Sequence, residues 1–215
     1  MTSSCSSRIT KARTTQGYDD LVVDVRYRDW QPVISPEEAG SFFRPPESPR
    51  YWHHRPAFLV PDARRITRLV VESEAGIAAV TPEDRSISSE LYAYGAPAWT
   101  PYDADHAVVC FRDGALALVH RDPSIGIVAS IHVGSPMGYP AVLDDGRVVF
   151  IRDCGLSTGR RIMAWRPFGD ELEILWQTKD LIADLAVVDG TIWFSSWPSG
   201  TMPWDAAQIQ ILRRA

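Results

Sequence analysis

The side chains best equipped for chemistry in this chain are histidines, tyrosines, tryptophans and a few charged groups standing between short apolar runs. His53 and His54 each carry an imidazole whose ordinary pKa of about 6.5 suits general acid or base work. Being adjacent, in an extended segment they face opposite ways, so only one of them serves a given ligand. Tyr92 and Tyr94 share one face of an extended segment and can both donate hydrogen bonds. These four are the candidate catalytic residues. Trp52, Arg55, Glu90, His132, Tyr139, Arg152, Asp153, Trp197 and Trp204 are the candidates for ligand binding. Arg152 can clamp a carboxylate through paired hydrogen bonds, and Trp197 and Trp204 bracket a long loop able to act as a stacking lid. The five histidines show no HxH or HExxH spacing and the three cysteines no CxxC, so no metal site is expected. No cofactor motif is visible, which leaves proton transfer (cyclisation, isomerisation or hydrolysis) as the chemistry these residues suit.

Something must bring such distant residues together. The segment Pro140-Ala141-Val142-Leu143-Asp144-Asp145-Gly146-Arg147-Val148-Val149-Phe150-Ile151 reads as strand, tight turn, strand. Its pattern recurs at Pro56-Ala57-Phe58 with Ile66–Val71, at Pro97-Ala98-Trp99 with Ala107–Phe111, and without the proline at Leu185–Phe194. The alanines fall at 57, 98, 141 and 186, spacings of 41, 43 and 45. Blades of four strands repeat at about 40–45 residues. A third strand follows each copy, near 76–80, 115–119, 161–165 and 207–212. A fourth follows the first three copies, near 86–88, 126–131 and 171–176. The expectation is therefore an all-β fold, a small β-propeller of four four-stranded blades. The last blade lacks its fourth strand, and Leu21–Tyr27 is expected to supply it and close the ring. Five blades, with residues 18–56 forming an irregular one, is the alternative.

The Pro-Ala-aromatic, Asp-Gly and Val-Val-Phe elements resemble the WD40-like repeats of TolB-type propellers, which also form the propeller domain of prolyl oligopeptidase-family serine peptidases. Tyr92-Ala93-Tyr94-Gly95-Ala96-Pro97-Ala98-Trp99 is similar to the His-Glu-Tyr-Gly-Gly-Gly-Ala-aromatic segment of some acylaminoacyl-peptidase propellers. Tyr94, Gly95 and Ala98 match it, while Tyr92, Ala93, Ala96 and Pro97 depart from it. The resemblance covers roughly residues 52 to 215. It implies a peptidase-type propeller, but no α/β-hydrolase domain fits in the remaining residues. Gly155-Leu156-Ser157-Thr158-Gly159 matches GxSxG only in its letters. A nucleophile elbow needs a strand before it and a helix after it, and this one falls between antiparallel strands.

Propeller topology sorts the loops onto two sides. The Asp turns, with Asp62, Asp103, Asp105, Asp144, Asp145 and Asp189, are expected on one, where aspartate bonds the local backbone. The candidate site residues are expected on the other, together with Met137, Lys179, Asp180 and Asp184. Aromatic groups beside a few charges describe a small-molecule or peptide pocket.

Residues 1–17 read as a polar disordered tail and 18–215 as one propeller domain, with a proline-rich irregular segment at 28–56. A chain of 215 residues supports one sizeable core. Net charge is -5, which gives no electrostatic case for nucleic acid or an anionic membrane. No apolar run approaches the ~18 residues of a membrane span. The N-terminus has no apolar signal region, and the odd, scattered cysteines favour a reducing compartment, so the cytoplasm is expected. Two functions fit. One is a stand-alone propeller binding a small organic or peptide-like molecule, as a cofactor-independent biosynthetic enzyme using His/Tyr acid-base chemistry. The other is a non-catalytic propeller that binds a protein partner.

Overall fold

In the computed structural model, residues 47–73, 76–92, 96–134 and 136–213 are described, and they form four antiparallel sheets arranged as the blades of a β-propeller. Blade 1 consists of β1 (Glu47–Trp52), β2 (Arg55–Pro61), β3 (Thr67–Ser73) and β4 (Gly76–Ala79). Blade 2 has β5 (Trp99–Pro101), β6 (His106–Cys110), β7 (Ala115–His120) and β8 (Ile127–His132). Blade 3 has β9 (Met137–Val142), β10 (Val148–Asp153), β11 (Arg160–Trp165) and β12 (Leu172–Thr178). Blade 4 has β13 (Leu181–Val188), β14 (Thr191–Trp197) and β15 (Gln208–Leu212). Among the described residues the helix is a single turn, α1 (Pro203–Ala206). The expected closing strand at 21–27, and with it the polar tail and most of the proline-rich segment, lies outside the described residues.

Neighbouring blades meet through their first strands, β1 against β5, β5 against β9 and β9 against β13. Hydrogen bonds fix their direction. At the start of the strands the Trp99 indole donates to the Ser48 carbonyl at 2.9 Å. At their ends the Trp52 indole donates to the Asp103 carbonyl at 2.9 Å, and the Tyr102 hydroxyl to the Gly146 carbonyl at 2.9 Å. First strands therefore run the same way, and the loops fall at two ends of the molecule.

The packing follows from period-2 alternation. In β10, Val148 and Phe150 join the core shared with blades 1 and 2, whereas Val149 and Ile151 join the core shared with blade 4. In β11, Met163 and Trp165 take the first side and Ile162 and Ala164 the second. An uninterrupted Val-Val-Phe-Ile run is what a strand needs when both of its faces are covered. Cys110 lies in the first core, fully buried, and burial pushes its thiol up to about 12. Iodoacetamide at neutral pH should therefore label half-buried Cys154 in the folded protein and reach Cys110 only after unfolding, as read by peptide mass spectrometry. Labelling of native Cys110 would contradict this packing.

One blade differs from the sequence expectation. Pro56-Ala57-Phe58 belongs to the second strand of blade 1, not the first, because Glu47–Trp52 forms a strand inside the proline-rich segment. Proline is tolerated there because the register shifts between Glu47 and Arg50, so Pro49 sits at a bulge. The fourth strand of this blade is then β4, and Ile87, expected in that role, instead bridges to Phe111.

Candidate functional site

The end of the propeller where β9 and β13 begin holds a cavity of about 460 Å³. Its construction begins with a repeated irregularity. In β9 the register shifts between Gly138 and Ala141, and Tyr139 adopts φ +55°. In β13 it shifts between Ala183 and Ala186, and Asp184 adopts φ +54°. Both residues stand two positions before a repeat alanine, so neighbouring first strands bulge at the same place. Bulges re-aim side chains, and a non-glycine residue held at positive φ costs roughly 1–3 kcal/mol, a cost that concentrates at functional sites. Here the strain brings Tyr139 and Asp184 to one cavity wall.

The remaining walls come from farther along the chain. Trp197 ends β14, and the loop after it supplies Thr201, Met202 and Trp204, the last on α1. Tyr92 arrives from the connection between blades 1 and 2. Its hydroxyl donates to the Ile182 carbonyl and accepts the Ile182 N–H at 3.1 Å, and its ring lies 6.4 Å from that of Trp197. Burial, only partly offset by the Ile182 bond, pushes the Tyr92 phenol up to about 12. Tyr139 is raised as well, by burial first and then by the Asp184 charge. Both phenols are neutral donors at neutral pH. The Asp184 carboxylate accepts the Ser195 hydroxyl at 2.7 Å.

The sequence-selected residues thus separate into groups. Tyr92, Tyr139, Trp197 and Trp204 are brought together, joined by Asp184. Glu90 and His132 line a different depression of about 250 Å³ with Arg112 and Asp113, where the Arg112 guanidinium donates to Glu90 at 2.7 Å. Asp153 accepts the Gly155 N–H at 2.8 Å and faces buried Arg160 at 3.4 Å, while Arg152 sits in the ladder opposite Arg161. Tyr94 lies outside the described residues.

The group at 52–55 needs correction. His53 and His54, with φ +49° and +64°, form the two-residue turn between β1 and β2 rather than an extended segment, and both are exposed. Because β1 ends there, they and Arg55 occur at the Asp-turn end, opposite the cavity. Trp52 is fully buried in the core. Met202, Thr201 and Ser195 also line the cavity without being sequence candidates; the unusual length of the β14–β15 loop is the signal for them. Among the described residues no cluster of histidine, cysteine and acids has metal-binding geometry, and no helix is long and apolar enough to cross a membrane. Ser157 of GxSxG is exposed in the β10–β11 hairpin loop.

This arrangement defines a β-propeller with an aromatic-walled cavity at one end. No protein-family model and no curated protein sequence matches the chain. Among solved structures it is similar to puromycin hydrolase, with TM-score 0.67 and 17% identity over 85% of this chain and 32% of that one. A puromycin-hydrolyzing peptidase of Mycobacterium tuberculosis gives 0.63 and 16% over 78% and 30%, respectively. The WD40 β-propeller domain of Doa1 gives 0.50 and 16% over 80% and 51%. The chain spans about a third of the length of the two hydrolases, and what it shares with all three is the propeller fold.

Proposed function

We propose that this propeller is a cytoplasmic binding domain whose cavity takes the apolar or aromatic group of a small organic or peptide-like molecule. The repeated bulge carries this reading: two adjacent first strands hold strained backbone at one repeat position, and both strained residues line the same cavity. A volume of about 460 Å³ suits a small ligand. Binding is favoured over turnover because the histidines lie elsewhere. The fold is shared with enzymes that hydrolyse puromycin, but the exposed Ser157 stands in a hairpin loop, so we do not carry their activity over.

Benzyl alcohol, a neutral aromatic probe, should bind saturably in an isothermal titration and shift the indole N–H resonances of Trp197 and Trp204. Trp204→Ala should weaken it about tenfold without changing the melting temperature, since that side chain is 77% exposed. Equal affinity in wild type, Trp204→Ala and Trp197→Ala would remove the cavity from consideration.

A second reading, an interaction surface, is favoured by a separate observation. Val188, Trp193, Ile209 and Ile211 are exposed on blade 4 beside β15, the outermost described strand of that sheet. Such an exposed apolar face can pack against a second copy of the chain. Sedimentation velocity should then show a dimer that Ile209→Lys with Ile211→Lys dissociates. A wild-type monomer at high concentration would exclude it.

A further inference from the structure

The proposed binding role leaves the charge of the ligand open. Resting on it, we infer that the occupant is an organic ammonium cation, an amine carrying alkyl groups, held against the aromatic rings with its charge toward Asp184. Four rings line the cavity, those of Tyr92, Tyr139, Trp197 and Trp204, and Asp184 is the one charged residue among the lining side chains. Aromatic faces carry negative partial charge and attract cations.

The carboxylate decides between ligand classes. Asp184 accepts one bond from the Ser195 hydroxyl, and among the described residues no lysine or arginine forms an ion pair with it. The guanidinium of Arg160, whose charge acts on Tyr92, is ion-paired with Asp153 at 3.4 Å and donates to the Lys179 carbonyl at 3.3 Å. An anionic ligand would meet an uncompensated negative charge and electron-rich rings. A neutral hydrocarbon would strip water from the carboxylate and return nothing for it. An alkylammonium ion satisfies both surfaces, since its alkyl groups cover the rings while its charge answers Asp184. The strained conformation at Asp184 has the same logic, because it brings the carboxylate to the wall rather than leaving it along the strand.

The test uses the intact chain and two probes of one shape. Choline and 3,3-dimethylbutan-1-ol differ in a nitrogen for a carbon, and therefore in charge. Choline should bind about tenfold more tightly, or better, than the alcohol. Asp184→Asn, which keeps a side chain tolerant of positive φ, should erase most of that preference, chiefly by weakening choline. A third probe, N-acetyl-trimethyllysine amide, separates the sources of such a cation. Tighter choline points to a free small molecule and tighter trimethyllysine to a modified peptide, and either supports the assignment. Equal binding of choline and the alcohol overturns it, as does a preference that survives in Asp184→Asn. Benzyl alcohol reports on the cavity independently: if it binds and choline does not, the cation inference falls while the binding-domain reading stands.

Discussion

Gly159→Ala is expected to destabilise the protein by about 2–5 kcal/mol, the sum of forcing a side chain into positive φ and of overpacking a closed site. Gly159 has φ +86°, and a Cβ there would overlap the Thr178 carbonyl oxygen, with the carbonyl carbon at 2.9 Å and Lys179 Cα at 3.2 Å. The obstructing atoms are backbone, so no rotamer change relieves them. The β12–β13 connection would have to move instead, and β13 begins two residues later with Leu181, part of the cavity wall. For a domain of this size the loss corresponds to a melting temperature lower by roughly 4–20 °C. Gly155 provides the control. Its φ is +85°, yet a Cβ there meets nothing within 4 Å. Gly155→Ala should therefore show the conformational cost alone, about 1–2 kcal/mol. Thermal unfolding followed by circular dichroism measures both, and equal losses would show that the crowding at Gly159 is not real. The two glycines of GxSxG are thus explained by hairpin geometry, one of them by a close approach to the neighbouring strand connection.

What could be read in advance was whatever rests on alternation and turn chemistry. The alanines at 98, 141 and 186 mark first strands or their approaches, and the Val148–Ile151 run announces a strand covered on both faces. The aspartates of the turns behave as local caps: Asp103 accepts the N–H groups of Asp105 and His106, both at 2.8 Å, and Asp62 those of Arg64 and Ile66 at 2.8 and 2.9 Å. In blade 1 two local signals conflict with the global fold. Proline density argued against a strand at 47–52, and only the register shift around Pro49 resolves that. Two consecutive histidines are an uncommon primed turn, where Asn-Gly would have been read at once. Taking Pro56-Ala57-Phe58 as the first strand displaces blade 1 by one strand, and a shift of one strand in an antiparallel blade sends its loops to the opposite end. This is why His53, His54 and Arg55 lie apart from the tyrosines and tryptophans of the cavity. The bulges at Tyr139 and Asp184 left no trace in residue type, since neither position is glycine.

The largest remaining effect is expected at Trp52, where the choice between binding and structural roles is sharpest. As a ligand contact, Trp52→Ala would weaken binding and spare stability. As the buried side chain seen here, with no exposed surface, it should cost about 3–5 kcal/mol, the usual penalty for removing a large aromatic group from a core. Part of that arises between blades. Trp52 bonds Asp103 at one end of the β1–β5 pair and Trp99 bonds Ser48 at the other, so the two first strands are tied at both ends. Trp52→Phe retains most of the apolar surface but leaves the Asp103 carbonyl without its donor, and about 1–3 kcal/mol should be lost. That variant remains folded enough to test function, and the cavity is built on β9 and β13, outside blades 1 and 2 apart from Tyr92. Benzyl alcohol should bind Trp52→Phe as it binds the wild type, whereas Trp204→Ala should show the reverse pattern of intact stability and weakened binding. Urea denaturation and calorimetric titration of both variants make the comparison. Weakened binding by Trp52→Phe at unchanged stability would return this residue to the ligand and remove it from the structural frame.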